Sequence, residues 1–235
     1  MALPIKKWIS DVVNPIKKEK NITQLSTEYF FRDPSRPMFN NYNFFYSPAD
    51  GIILYQKEVT PTEKIVEIKG KNYTLRDILF DTTFKEPCVV IGIFMSFYDV
   101  HINRVPYKGK LTFKDVDSIE SYNYPMLFLE KQLISEQLST HNMGYLQNNA
   151  RRINTIESKD MKYYVVQIAD YDVDVFHHFV EDNEYVMQNE RFSFIRWGSQ
   201  CDLIVPLKYL KNGYKFIQKP EFHVEAGVDT LIEIL

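Results

Sequence analysis

The sequence contains few of the features that mark secreted, metal-binding or membrane-spanning proteins. Its 235 residues include two cysteines, Cys88 and Cys201, whose separation matches neither zinc-binding nor thioredoxin-like spacing. Free thiols indicate a reducing compartment. No apolar stretch approaches the roughly 20 residues needed to span a bilayer, and the N-terminus lacks the uninterrupted apolar run of a signal peptide. We therefore expect a cytoplasmic protein.

The chain also has little glycine and no large excess of charge. Its formal net charge is -3, which argues against a nucleic-acid partner and favours a small or neutral one. Eight residues are glycine, 45% are hydrophobic and 25% are charged. This composition is typical of a globular protein without long disordered segments. We expect one domain, and the sequence leaves open whether it forms a homo-oligomer.

The N-terminal residues have the pattern of a short amphipathic helix. The apolar residues that recur at helical spacing are Ile5, Trp8, Ile9, Val12 and Val13. Pro15 is expected to end this helix. Residues 1–20 contain five lysines against Asp11 and Glu19, an excess of three positive charges. Such a helix can make a peripheral contact with an anionic membrane or dock on its own domain, and the second alternative is favoured.

Beyond residue 45 the sequence is dominated by β-strand patterns. Apolar runs such as GIILYQKEV, CVVIGIFMSF, DLIVP and TLIEIL are separated by turn residues. Thr74 and Asp77 predict a short capped helix, whereas residues 126–140 have mixed periodicity and receive no assignment. We predict an α+β, mainly β fold with a β-sandwich or barrel-like core and a few short helices. Residues 1–29 are expected to form an N-terminal extension to a domain over residues 30–235.

Four separated motifs carry the functional information. They read FFRDPSRP over residues 30–37, SPADG over 47–51, FMSFYDVHINRVP over 94–106, and ERFSFIRWGSQCDLIVP over 190–206. In this order they resemble the phosphatidylserine decarboxylase family, in particular its shorter branch in bacteria and archaea. The resemblance runs from about Phe30 to Pro206. It is specific, because four separated motifs must coincide in order.

The resemblance implies a precursor that cleaves itself between Gly198 and Ser199 and then acts as a decarboxylase. The Ser199 hydroxyl would attack the Gly198 carbonyl, and β-elimination followed by hydrolysis would leave a pyruvoyl group derived from Ser199. This cofactor would form a Schiff base with a substrate amine and accept the electrons released with CO2. Glycine suits position 198 because it has no Cβ to hinder the attack. No metal is required, and no dinucleotide or P-loop motif is present.

The resemblance also implies which residues carry the chemistry. His101 is the candidate base for Ser199 and the later proton donor, since an imidazole can take both roles near neutral pH. Asp50 and Asp99 are the candidate carboxylates that orient it. If Asp99 and His101 lie on a strand, they project from the same face. Asp50 must then come from elsewhere in the fold.

Two supporting residues and one departure from the family pattern follow from the same motifs. Asn103 and Arg104 lie directly after His101, and Arg104 occupies the position of a second histidine found in the longer family branch. The segment KKEKNITQLSTEY ahead of the first motif is polar, whereas the short branch generally carries a lipid-buried hairpin there.

Three functions therefore stay open. The first choice is conversion of phosphatidylserine to phosphatidylethanolamine at the membrane periphery. The second is decarboxylation of a soluble amino acid or amino-acid conjugate, which the polar segment favours. The third is an unprocessed family member that only binds a ligand or partner.

Overall fold

The computed structural model describes residues 1–38, 40–68, 70–135, 143–171, 176–196 and 199–235. The strands, in chain order, are β1 (Leu3–Pro4), β2 (Phe44–Tyr46), β3 (Gly51–Val59), β4 (Val66–Ile68), β5 (Lys71–Tyr73), β6 (Cys88–Met95), β7 (Ile102–Arg104), β8 (Gly109–Val116), β9 (Arg151–Glu157), β10 (Lys162–Ala169), β11 (Phe176–His178), β12 (Tyr185–Val186), β13 (Arg191–Ile195), β14 (Ser199–Pro206), β15 (Tyr214–Phe216), β16 (Phe222–Val224) and β17 (Thr230–Ile234). Strand is thus the main regular structure, as predicted.

A nine-stranded antiparallel sheet forms the centre of the molecule. Its order is β1-β16-β3-β6-β14-β10-β9-β8-β12. Because β14 pairs with β6 on one side and with β10 on the other, the predicted cleavage position lies at the beginning of a central strand. In the described part of the chain β1 and β12 pair with no further strand, so the sheet is open and not a closed barrel.

Two smaller sheets cover one face of the large sheet and complete the predicted sandwich. Their orders are β11-β13-β7 and β15-β17-β2, while β4 and β5 form a separate hairpin. Alternate side chains of β6 explain the layering. Those that face the small sheets are Val89, Ile91, Ile93 and Met95. Those that face the helical layer are Cys88, Val90 and Phe94. Burial on both faces accounts for the uninterrupted apolar sequence of this strand.

Helices lie on the other face of the large sheet. They are α1 (Ile5–Trp8), α2 (Asn14–Glu19), α3 (Ile22–Gln24), α4 (Leu75–Ile78), α5 (Leu127–Ile134) and α6 (Tyr145–Asn148), with π-helical turns at Ile9–Val13 and Leu25–Tyr29. The predicted capping box of Thr74 and Asp77 is confirmed at the start of α4. In the described segments, none of the helices has the length and apolar character required to cross a membrane.

The N-terminal helix differs from its prediction at one point. Pro15 does not end it, because a π-helical turn over Ile9–Val13 connects α1 to α2 and leaves Pro15 in the first turn of α2. Proline is tolerated there, since its missing N–H is not needed for a helical bond. The apolar face of this helix packs into the hydrophobic core, and β1 pairs with β16. In the structure the N-terminal helix therefore docks on its own domain, which was the favoured alternative.

Candidate active site

Ser199 is the first residue of β14 and is completely buried. It pairs with Met95 of β6 and with Ala169 of β10. Among the described residues its hydroxyl donates to the Met95 Sδ atom alone, at 3.2 Å, and a thioether is a weak acceptor. Gly198 lies outside the described residues. Of the two residues at the predicted cleavage site, the structure therefore describes Ser199, which carries the nucleophile.

His101 is fully buried, with its ring against Phe30 at a centroid distance of 3.9 Å. Its Nδ1 atom lies 3.1 Å from the Asp99 backbone oxygen. A carbonyl only accepts, so Nδ1 carries the proton and Nε2 keeps a lone pair. Among the described residues Nε2 has no hydrogen-bond partner. Burial lowers the pKa of His101 to about 4, which keeps the ring neutral and able to accept a proton near neutral pH.

Asp99 does not orient the His101 ring through its carboxylate, and the expectation that the two lie on one strand is wrong. Asp99 closes a turn in which its N–H donates to the Ser96 carbonyl, and β7 begins only at Ile102. The Ser96 N–H and hydroxyl donate to Asp99 Oδ2 at 2.8 and 2.7 Å. A serine and an aspartate three residues apart favour such a hydrogen-bonded turn over an extended strand.

The other Asp99 oxygen binds His223, a residue that the sequence did not single out. His223 Nε2 lies 2.6 Å from Asp99 Oδ1, and both side chains are buried. Burial alone would raise the pKa of Asp99, but His223 and the Ser96 donors bring it below its usual value. Burial alone would lower the pKa of His223, but the Asp99 charge raises it. Trp8 stacks on the His223 ring at 4.8 Å, so the N-terminal helix covers this pair.

Asp50 is buried and bound to Arg36. The two Arg36 terminal nitrogens each donate to one Asp50 oxygen at 2.6 Å, and the Ala226 N–H donates to Oδ1 at 2.8 Å. Burial alone would lower the pKa of Arg36, but the Asp50 carboxylate raises it. This bidentate geometry requires arginine and occupies both carboxylate oxygens. Arg36 lies in the FFRDPSRP motif, so the sequence contained a signal for this partner of Asp50.

Asn103 and Arg104 connect the SPADG segment to the centre of the molecule. The Asn103 amide donates to the Pro48 carbonyl at 3.2 Å and lies 3.8 Å from Met95 Sδ, the atom that Ser199 contacts. The Arg104 backbone N–H donates to the same Pro48 carbonyl, and its side chain donates to the Asn189 carbonyl at 3.0 Å. Asn103 therefore lies beside Ser199, whereas Arg104 holds loops together.

Four of the predicted residues lie in two separate places. Asp50 and Asp99, with their partners Arg36 and His223, line one pocket of about 410 Å³ under the N-terminal helix. Ser199 and Asn103 meet at the Met95 sulfur. Between described residues, no hydrogen bond joins the Ser199 hydroxyl to the side chain of His101 or Asp50. The catalytic roles of these residues stay predictions.

A second buried polar cluster lies on the other face of β14. Asp202 accepts from the Tyr55 hydroxyl at 2.7 Å and from the Gln200 amide at 2.6 Å. Tyr145 donates in turn to Gln200 at 2.5 Å. Because burial outweighs the lowering by the Gln200 and Tyr55 hydrogen bonds and by the charge of Arg151, the pKa of Asp202 is raised to about 6. The cluster fixes Gln200, the residue directly after Ser199.

No cluster of three histidine, cysteine or acidic side chains suited to a metal ion occurs among the residues described. The described side chains around Ser199 are instead an amide, a thioether and apolar groups. Such an environment suits covalent chemistry by the chain itself.

Comparison with known proteins gives a consistent picture. The sequence profile described as phosphatidylserine decarboxylase matches residues 24–231. A Methanocaldococcus jannaschii protein named as an archaetidylserine decarboxylase proenzyme is 31% identical over 185 residues, covering 79% of this chain and 81% of the relative. A phosphatidylserine decarboxylase proenzyme of Syntrophus aciditrophicus is 30% identical and covers 77% and 70%. One of Prosthecochloris aestuarii is 28% identical and covers 82% and 72%.

Proposed function

The chain belongs to the phosphatidylserine decarboxylase family, and we propose that it cleaves itself between Gly198 and Ser199 and then decarboxylates a phospholipid whose head group is serine. One observation carries this proposal. The Ser199 hydroxyl is buried at the beginning of a central strand, and among the described residues a thioether is its only hydrogen-bond acceptor. A buried hydroxyl that served structure alone would be expected to donate to a stronger acceptor.

Self-cleavage needs a base for the Ser199 hydroxyl, and His101 Nε2 is the candidate. Ser199 Oγ bonds to the Gly198 carbonyl carbon while the peptide C–N bond breaks, and the hydroxyl proton passes through Nε2 to the freed amine. The His101 carbonyl accepts from the N–H of Ile195, four residues before Ser199. The candidate base therefore lies directly before β7 and next to the end of β13, the strand that leads to the predicted cleavage position.

The remaining steps complete the cleavage. Elimination across the Cα–Cβ bond of residue 199 releases residues 1–198 with a free carboxylate and leaves dehydroalanine. Water then replaces the nitrogen of dehydroalanine by oxygen, and ammonia leaves. The product is a C-terminal fragment of residues 199–235, which supplies β14 to β17 and stays paired with β3, β6, β10 and β2.

The surroundings of Ser199 fit the pyruvoyl group that the family implies. A carbonyl oxygen in this position would meet the amide donor of Asn103 and the apolar surface of Met95. When formed, the group supplies an electron sink for the electrons released as CO2 leaves. His101 Nε2 can then deliver a proton to the carbon that loses CO2, because burial holds the imidazole pKa low and makes its protonated form a strong acid.

A lipid substrate is supported by the surface next to Ser199. Exposed apolar side chains surround the mouth of a pocket that Met95 lines. Leu127 at 51% exposure and Tyr171 at 57% line this pocket, and Phe128 at 50% exposure follows Leu127 in α5. A rim of this kind offers contact to the glycerol and acyl portions of a phospholipid. Lys7 and Lys17, on the polar face of the N-terminal helix, are exposed and suit peripheral contact with anionic head groups.

The test is CO2 release by the purified protein from three substrates: phosphatidylserine vesicles, soluble dihexanoyl-phosphatidylserine and free serine. We expect turnover of both lipids and none of free serine. The Leu127→Asp/Phe128→Asp double variant should lose activity on vesicles and keep it on the dihexanoyl lipid. Equal turnover of free serine would favour a soluble substrate instead. An unbroken chain without CO2 release from any substrate would favour the binding member.

A further inference from the structure

The pocket beside Ser199 contains a polar atom that the cleavage chemistry does not use. This pocket, of about 280 Å³, lies between α5 and the ends of β6 and β10. Met95, which lines it, pairs with Ser199 on one side, while Asp170, also in its lining, follows the Ala169 that pairs with Ser199 on the other. The pocket therefore flanks the position where the reactive carbonyl would form.

Glu130 is the residue of interest in this pocket. It is only 6% exposed. Within the described residues its Oε1 atom is buried and has no hydrogen-bond partner. Leaving a carboxylate oxygen desolvated and unpaired costs free energy, so such an atom in a cavity wall points to a ligand that supplies the missing donor.

The charges around Glu130 favour a cationic ligand. Burial, together with the nearby carboxylates of Asp99 and Asp170, raises the pKa of Glu130 to about 8, although the Phe97 N–H and Lys17 act in the opposite direction. Tyr98 is a further titratable group close to it. A cation that enters the pocket relieves both the burial and the repulsion. Apart from Glu130 and Asp170 the lining is largely apolar, so these two carboxylates are the groups in the lining that favour an ammonium group.

We propose that Glu130 Oε1 binds the ammonium group of the substrate's serine head group and accepts a proton from it. One N–H bond breaks, the proton forms an O–H bond on Oε1, and the electron pair stays on nitrogen, which becomes the nucleophilic amine. This inference rests on the proposed function, because the amine must reach a carbonyl at position 199. It assigns a catalytic residue that lies outside the four sequence motifs.

Binding can be tested separately from catalysis in the uncleaved Ser199→Ala protein. Carboxyl carbon NMR of this protein, labelled at glutamate, should show one resonance that titrates near pH 8 and disappears in Glu130→Gln. Dihexanoyl-phosphatidylserine should move its titration to lower pH, whereas the N-acetylated lipid, which has no ammonium group, should not. A resonance that titrates near pH 4 to 5, or whose titration does not change when dihexanoyl-phosphatidylserine is added, would overturn the inference. Because this experiment uses uncleaved protein, its result does not depend on whether the proposed function is correct.

Catalysis is then measured in processed protein. Glu130→Gln should cleave itself as wild type does but lose about 100-fold in kcat/KM, and the rise of kcat/KM with pH up to about 8 should disappear. Glu130→Asp, which keeps a shorter carboxylate, should recover part of the activity. Glu67→Gln changes an exposed glutamate of β4 and should match wild type. A processed Glu130→Gln enzyme with wild-type kcat/KM and pH profile would contradict the proposal.

Discussion

Asp99 and His223 form a buried pair, with 2.6 Å between Oδ1 and Nε2, across 124 residues of sequence. The predicted cleavage position at 198/199 lies between them. After cleavage the pair would connect the two product chains, and Trp8 stacked on His223 would shield that connection from solvent. The pair therefore belongs to the stability of both the precursor and the processed protein.

Removing His223 should destabilise the fold strongly. In His223→Ala, Asp99 stays buried without its cationic partner, so we expect the free energy of unfolding to fall by about 3 to 5 kcal/mol. The measurement is urea unfolding in the uncleaved Ser199→Ala background, which removes any effect of processing. His177→Ala changes an exposed histidine and should lie within about 0.5 kcal/mol of the parent. Equal effects of the two substitutions would contradict a stabilising pair.

The stability of the wild-type protein should decrease between pH 4 and pH 6 through Asp202. Its folded pKa of about 6 lies above the unfolded value, so the native state holds the proton longer and ionisation favours unfolding as pH rises. A shift of about two pH units corresponds to roughly 3 kcal/mol. Asp202→Asn should remove this part of the pH dependence in unfolding curves recorded at pH 4 and 7. If Asp202→Asn left the pH dependence of the free energy of unfolding unchanged, the pKa of Asp202 would be the same in the folded and unfolded states.

Gly51 in the SPADG motif should not tolerate a side chain. Its φ is +151°, and a Cβ atom would lie 2.1 Å from the Phe94 carbonyl oxygen. Gly51→Ala should therefore lower the free energy of unfolding by about 2 to 4 kcal/mol. In Gly144→Ala the nearest atom lies at 3.5 Å, so this control should change stability by about 0.5 kcal/mol or less. Thermal unfolding of both variants is the measurement, and similar melting temperatures would refute the close approach.

His101→Ala should abolish turnover and slow self-cleavage. The substitution removes Nε2, the candidate proton acceptor, so we expect a loss of about 100-fold in each rate. Added imidazole should restore part of both rates by entering the space that the substitution leaves. His178→Ala is a matched control, because burial also lowers the pKa of His178 to about 4. Full activity of His101→Ala would remove its assigned role.

The sequence predicted the core because burial leaves a local pattern. The apolar runs at β6 and β14 predicted two strands of the sandwich, and Thr74 with Asp77 predicted the start of α4. These features depend on neighbours within a few residues. The motifs likewise gave Ser199, which the structure places at the beginning of a central strand.

Other features could not be predicted because they depend on distant residues. The partner of Asp99 is His223, and no local spacing marks it. Residues 126–140 had mixed periodicity, yet α5 forms at Leu127–Ile134, with Glu130 buried and Leu127 exposed. A helix that presents a carboxylate to a pocket loses the clean amphipathic pattern that identifies helices in sequence. Residues 136–140 of that segment lie outside the described residues.

The mass of the freshly purified protein under denaturing conditions tests the central claim most directly. Self-cleavage predicts two chains: residues 1–198, and residues 199–235 with a pyruvoyl group in place of the serine N-terminus. Ser199→Ala should give only the intact chain. A wild-type protein that shows one unbroken chain of 27.9 kDa, identical in behaviour to Ser199→Ala, would contradict the account.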